Sequence, residues 1–183
     1  MDKKCAEYLD KLDGKLILLL KDLKNYREEK LNERPDENSW SVLQIMRHLI
    51  KAESESLKYV RKKLSFNPEL KNAGIMSGIR SAMLRIALSS PIKIKAPEGV
   101  SGEALSENYT FWEVAKEWKS QRTELREYLG SLPSYYFKKD MYKHPLTGKM
   151  TLASMLSFFD IHVDRHTRQI KRTLRKVDAV KQV

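Results

Sequence analysis

A single cysteine, Cys5, stands in the 183 residues, so no disulfide can form within the chain. It reads as a small, inert helix residue more readily than as a reactive thiol. Long apolar runs are missing as well. Leu16-Ile17-Leu18-Leu19-Leu20 is the apolar run to weigh, and it falls far short of the roughly 20 residues that cross a bilayer. No N-terminal secretory pattern, internal repeat, low-complexity tract or convincing alternation of a β-strand is present. These absences lead us to expect a soluble protein of a reducing compartment, the cytoplasm, with no membrane partner.

Acidic residues are in deficit. Lys and Arg total 35 against 24 Asp and Glu, giving a net charge of +11. Such a balance favours anionic partners, among them nucleic acid, anionic lipid and acidic small molecules. The positive charges are spread along the chain without interleaved aromatics, which weighs against nucleic acid. At 183 residues the chain is long enough for a sizeable core, and one domain over 1–183 is expected.

Helical periodicity is what the sequence has in abundance. Leu9, Leu12, Leu16, Leu19, Leu23 and Tyr26 alternate steps of three and four, predicting a bundle helix from about Lys4 to Lys30. Arg34-Pro35 ends it, because the residue before proline is pushed out of helical geometry. Ser41-x-x-Gln44 is a capping box opening a second helix to about Leu64. Ile75, Ile79, Met83 and Ile86 space out a shorter helix between Ala73 and Ser89.

The stretch from Pro91 to Pro97 reads as extended chain, and Glu98 to Ser106 as a loop. This crossover is where a bundle places a lid, a pocket wall or a plain connection. Thr110-x-x-Glu113 reads as another capping box, opening a third bundle helix that Gly130 and Pro133 close. An irregular stretch follows from 134 to 150, and Thr151 caps a last helix to about Lys176. The fold class is all-α: a four-helix bundle with a long crossover connection and one extra short helix.

The residues with most chemistry lie on that last helix. His162 and His166 are one turn apart on the same face, at the edge of a stripe containing Leu152, Met155, Leu156, Phe159, Val163, Ile170 and Leu174. His48 falls beside Ile45 and Ala52 on the second helix, inward or half-inward. Inward imidazoles need partners, since an unpaired buried polar group is costly. They either hydrogen-bond to polar neighbours or bind a metal together, and a bundle core is a common place for such metal sites. Neutral imidazoles suit zinc, nickel, copper and iron.

Val163 follows His162 where the zincin motif requires glutamate, which excludes that protease mechanism. Asp160, Asp164, Glu53 and Glu55 are candidate bases or partners of the histidines, and the pattern singles out none of them. Trp40, Trp112 and Trp118 read as packing residues ahead of pocket lining.

Three stretches in order carry a resemblance. Ser39-Trp40-Ser41-Val42-Leu43-Gln44-Ile45-Met46-Arg47-His48-Leu49, followed by Glu53, resembles the second-helix signature of the DinB-like superfamily. His144-Pro145-Leu146-Thr147-Gly148-Lys149-Met150-Thr151-Leu152 resembles the turn into that family's last helix, and His162-x-x-x-His166 with Gln169-Ile170 its last-helix signature. The resemblance covers most of the chain, with residues 66–108 least constrained.

It implies a four-helix bundle with a divalent metal, zinc or nickel first, held by His48, His162 and His166. His144 matches the turn and no ligand position. Metal-dependent hydrolases and transferases of low-molecular-weight thiols belong to that superfamily. The expected partners are therefore a small-molecule substrate and a thiol cosubstrate, with a homodimer left open. The competing reading is a non-enzymatic basic bundle that uses Arg165, Arg168, Lys171, Arg172, Arg175 and Lys176 on an anionic partner, although such charges also favour a helix C-terminus.

Overall fold

Asp2 starts the first helix, α1 (Lys3–Leu23), its carboxylate accepting the amide N–H of Cys5 at 3.3 Å. The predicted seam is the buried face: Leu9, Leu12, Leu16, Leu19 and Leu23 all lie in the core. Cys5 is also fully buried, and burial pushes its thiol pKa up to about 12, so it remains an inert thiol. The structure is a computed structural model describing residues 1–89 and 108–180. The expected extended chain of Pro91–Pro97 and the loop of Glu98–Ser106 lie outside the described residues.

The first helix is shorter than the 4–30 span predicted. The side-chain amide of Asn25 donates to the carbonyls of Lys21 and Asp22, at 3.2 and 3.4 Å, occupying acceptors near the helix end. The chain turns and begins a separate short helix, α2 (Glu28–Asn32), with two glutamates in its first turn. This second piece has a task that the seam does not reveal. Asn32 exchanges two hydrogen bonds with the backbone of Tyr109, and Glu28 accepts the N–H of Phe111 at 3.1 Å. It thereby ties down the start of the third bundle helix.

Next comes α3 (Val42–Ser65), opened by the reciprocal capping box: Ser41 N–H donates to Gln44 Oε1 at 2.9 Å and Gln44 N–H to Ser41 Oγ at 3.2 Å. Helix α4 (Ile75–Ser89) forms where predicted, but its spaced apolar residues are not its core face. Ile75, Ile79, Met83 and Ile86 are exposed, and Ser77, Leu84 and Leu88 pack inward. Helix α5 (Phe111–Ser131) is capped by Thr110 Oγ1, which accepts the Glu113 N–H and donates to the Glu113 carboxylate in place of the reciprocal box expected, and the helix buries Trp118 completely.

A 3₁₀ turn over Ser134–Lys138 leads to a two-stranded antiparallel hairpin, β1 (Tyr142–His144) and β2 (Gly148–Met150), in register Tyr142 with Met150 and His144 with Gly148. The sequence reading contained no strand. Three residues are too few to display alternation, and the hairpin depends on Gly148, whose φ is +84°. Helix α6 (Leu152–Val180) completes the described chain, four residues longer than predicted, with Thr151 Oγ1 accepting the Ser154 N–H.

Four long helices form the bundle. Helix α6 packs between α1 and α3, and α5 closes the ring from α3 back to α1. Helix α4 and the hairpin lie against α6 from outside. Two sets of ion pairs fix the arrangement. Between α1 and α6, the buried Asp160 receives Lys11 at 2.7 Å and also Lys15. Burial alone would raise its pKa, but the lysine hydrogen bonds overcome this and hold it below the usual carboxylate value.

Between α3 and α5, Glu53 and Arg122 form a bidentate pair at 2.6 Å for both bonds, and Trp118 Nε1 donates to the same carboxylate at 3.2 Å. Among the described residues no helix is long and apolar enough to cross a membrane.

Candidate metal centre

The capping box fixes where α3 begins, and His48 follows on its second turn, facing α6. His162 and His166 sit near the middle of α6, two and six residues after Asp160, whose contacts to Lys11 and Lys15 tie α6 to α1. The three imidazoles predicted from sequence come together. His162 Nε2 lies 3.2 Å from His48 Nε2 and 3.0 Å from His166 Nε2. One ring nitrogen from each residue falls within 4.8 Å of the other two, which permits a shared metal ion. Ligands at 2.0–2.1 Å in a tetrahedron around zinc stand about 3.3 Å apart, close to the separations observed.

The rings are steeply inclined to one another in T-shaped contacts. Their planes are inclined by 72° for His48 and His162, 60° for His48 and His166, and 82° for His162 and His166. All three are buried, at 7–8% exposure. Trp40 lies against His48, with ring centroids 5.0 Å apart, and Phe158 stacks on His162 at 5.1 Å and 21°.

This environment strongly opposes protonation. Burial lowers the pKa of His48 to about 4 and that of His166 to about 3, the latter assisted by repulsion from His48. Burial, with repulsion from His166 and His48, takes His162 well below its ordinary value. At neutral pH all three are neutral imidazoles, the form that ligates metals.

Counting protons tests whether a cation fits. His166 Nδ1 is 2.8 Å from Gln169 Oε1; as the Nδ1–H tautomer it would donate to that oxygen and leave the Nε2 lone pair facing the cluster. His162 Nε2 touches both other Nε2 atoms. If it carries a hydrogen, that one hydrogen is shared between two acceptors; if it does not, two lone pairs oppose each other at 3.0 Å. With His166 as the Nδ1–H tautomer, no neutral arrangement supplies each contact with its own proton. Three lone pairs converging on one cation remove the conflict, so the donor set fits a divalent metal. The Nδ1 atoms of His48 and His162 are buried without a hydrogen-bond partner among the described residues.

The four carboxylates considered as bases are engaged elsewhere. Glu53 is held by Arg122 and Trp118, Asp160 by Lys11 and Lys15, Asp164 by Lys15 at 2.6 Å, and Glu55 by Lys58 on the surface. His144 has the structural place expected of it: its Nδ1 accepts the Leu146 N–H within the turn, and its ring packs on Phe158.

The tryptophans divide. Trp118 is core, Trp112 is 66% exposed, and Trp40 touches the cluster. Sequence reasoning assigned no role to Gln169 or Phe158. Both were nevertheless legible by spacing, three residues after His166 and four before His162, where helical neighbours meet.

Comparison with known proteins agrees with this architecture. The uncharacterized protein YuaE of Bacillus subtilis (strain 168) is 24% identical over 157 residues, covering 86% of this chain and 91% of that protein. The solved structure of YfiT from Bacillus subtilis, described as a probable metal-dependent hydrolase with an unusual four-helix bundle topology, superposes with a TM-score of 0.58 at 14% identity. That match covers 96% of this chain and 89% of YfiT, and at this identity it speaks to the fold. The family model of the DinB superfamily matches residues 11–170. With that match spanning nearly the whole bundle, the chain belongs to the DinB superfamily.

Proposed function

We propose that His48, His162 and His166 hold a divalent metal, zinc or nickel, and that the protein is a metal-dependent enzyme acting on a small molecule. The convergence of three neutral Nε2 atoms on one point carries this reading. The description of YfiT as a probable metal-dependent hydrolase supports the same class of chemistry. A divalent ion with three neutral ligands and an open position is a Lewis acid that lowers the pKa of a water or thiol reaching it.

The chain's own residues do the rest. The three histidines stay neutral and leave the ion its full charge, while Trp40 and Phe158 form apolar walls beside the ligand rings. No described carboxylate contacts the histidines as a general base. Lowered acidity of the nucleophile itself therefore suits this site, and a low-molecular-weight thiol, already the more acidic of the two, suits it better than water.

Metal content comes first, measured by elemental analysis of protein purified without a histidine tag. An electrophile is then supplied to the metal-loaded protein with and without a small thiol. Turnover only with thiol is the expected result; turnover with water alone makes the protein a hydrolase. Loaded protein that turns over neither mixture, yet binds DNA with steep salt dependence, would replace this reading with the basic binding bundle.

A further inference from the structure

The three histidines are not held alike. Among the described residues, His48 Nδ1 and His162 Nδ1 have no hydrogen-bond partner, whereas His166 Nδ1 meets Gln169 Oε1 at 2.8 Å. Gln169 is three residues further along α6, on the same face and half-buried. We propose that Gln169 is a positioning residue: it fixes His166 as the Nδ1–H tautomer and so aims its Nε2 lone pair at the metal position before any metal arrives. The inference rests on the three-histidine reading, but its first half concerns the metal-free protein alone.

The physical argument is one of preorganisation. A neutral imidazole in water favours the proton on Nε2, the wrong nitrogen for this geometry. A fixed acceptor at Nδ1 reverses that preference, and the hydrogen bond also stops the ring from turning about its χ2 bond. With His166 set, His48 and His162 each keep one ring proton to place, and His162 Nε2 is the atom that faces both neighbours.

Glutamine also suits the place because it accepts without bringing a charge. A carboxylate would accept the same N–H, and a leucine of similar size would not. Outer partners of metal-bound histidines commonly contribute about 10- to 100-fold in metal affinity.

The test begins with metal-free, chelator-treated wild-type protein. Long-range ¹H–¹⁵N correlation of the histidine rings near pH 7 reports which nitrogen of His166 carries hydrogen. The expected pattern is Nδ1–H. Gln169→Leu should shift His166 towards Nε2–H and weaken zinc binding by about 10- to 100-fold in competition with a chromophoric chelator. Gln169→Glu should restore both the tautomer and the affinity.

Finding Nε2–H at His166 in the wild type overturns the proposal. So does a folded Gln169→Leu protein that keeps both tautomer and affinity. If the wild type has the Nδ1–H pattern but binds no zinc or nickel, the metal reading falls and the tautomer assignment stands. The wild-type spectrum needs no variant, so a Gln169→Leu chain that fails to fold leaves the proposal exposed to refutation.

Discussion

Acid should destabilise the metal-free protein through its buried histidines, and the size of the effect follows from their surroundings. His48 has a folded pKa of about 4 and His166 about 3, both lowered chiefly by burial. In the unfolded chain each returns to about 6.5. Between these values the unfolded state binds protons that the folded state refuses. Their contribution is therefore complete above about pH 6.5 and is lost as the pH falls towards the folded values.

From pH 7 to pH 5 a single histidine of this kind costs about 2 kcal/mol. The two together are expected to cost about 4 kcal/mol, a large part of the 5–15 kcal/mol typical of a domain, and His144 and His162, also lowered by burial, act in the same direction. Urea unfolding followed by circular dichroism, in chelator at both pH values, should show the midpoint falling by about 1–2 M. His48→Gln should flatten the dependence. Zinc should raise stability at pH 7 and steepen the loss towards acid, because protons then compete with the metal. An unchanged midpoint between pH 7 and 5 in metal-free protein would refute the argument, since buried neutral imidazoles cannot be indifferent to acid.

Other perturbations reach separate parts of the structure. His162→Ala should abolish metal binding by elemental analysis and keep the helical circular dichroism, because the α1 and α5 seams carry the bundle; total loss of helix would make the site structural. Glu53→Ala leaves Arg122 charged and buried, which should cost about 3–5 kcal/mol in urea unfolding, whereas replacing both by apolar residues should cost less than the two single changes summed. Gly148→Ala meets only an ordinary contact with Arg80 but must adopt φ +84°, so a loss of about 1 kcal/mol in thermal unfolding is expected from backbone strain alone.

Local periodicity and local chemistry were readable in the sequence itself. The steps of three and four from Leu9 to Leu23 fix a helix face because the helical repeat is 3.6 residues, whatever packs on it. The boxes at Ser41 and the caps at Thr110 and Thr151 act within three residues, and they begin their helices where the sequence placed them. His162 and His166 share a face for the same reason.

What lay beyond the reach of such rules needed the assembled bundle. His48 is 114 positions from His162, and whether their nitrogens meet depends on the rotation and sliding of α3 against α6, which the whole interface sets. The stripe on α4 shows the converse. Ile75, Ile79, Met83 and Ile86 have the spacing of a core face, yet Ser77, Leu84 and Leu88 are the buried residues of that helix. Periodicity defines a face and not the direction it points. Glu53 and Asp160, near the histidines in sequence, were drawn to Arg122 and to Lys11 and Lys15. A buried carboxylate takes the strongest donor within reach, and only the tertiary structure decides which donor that is.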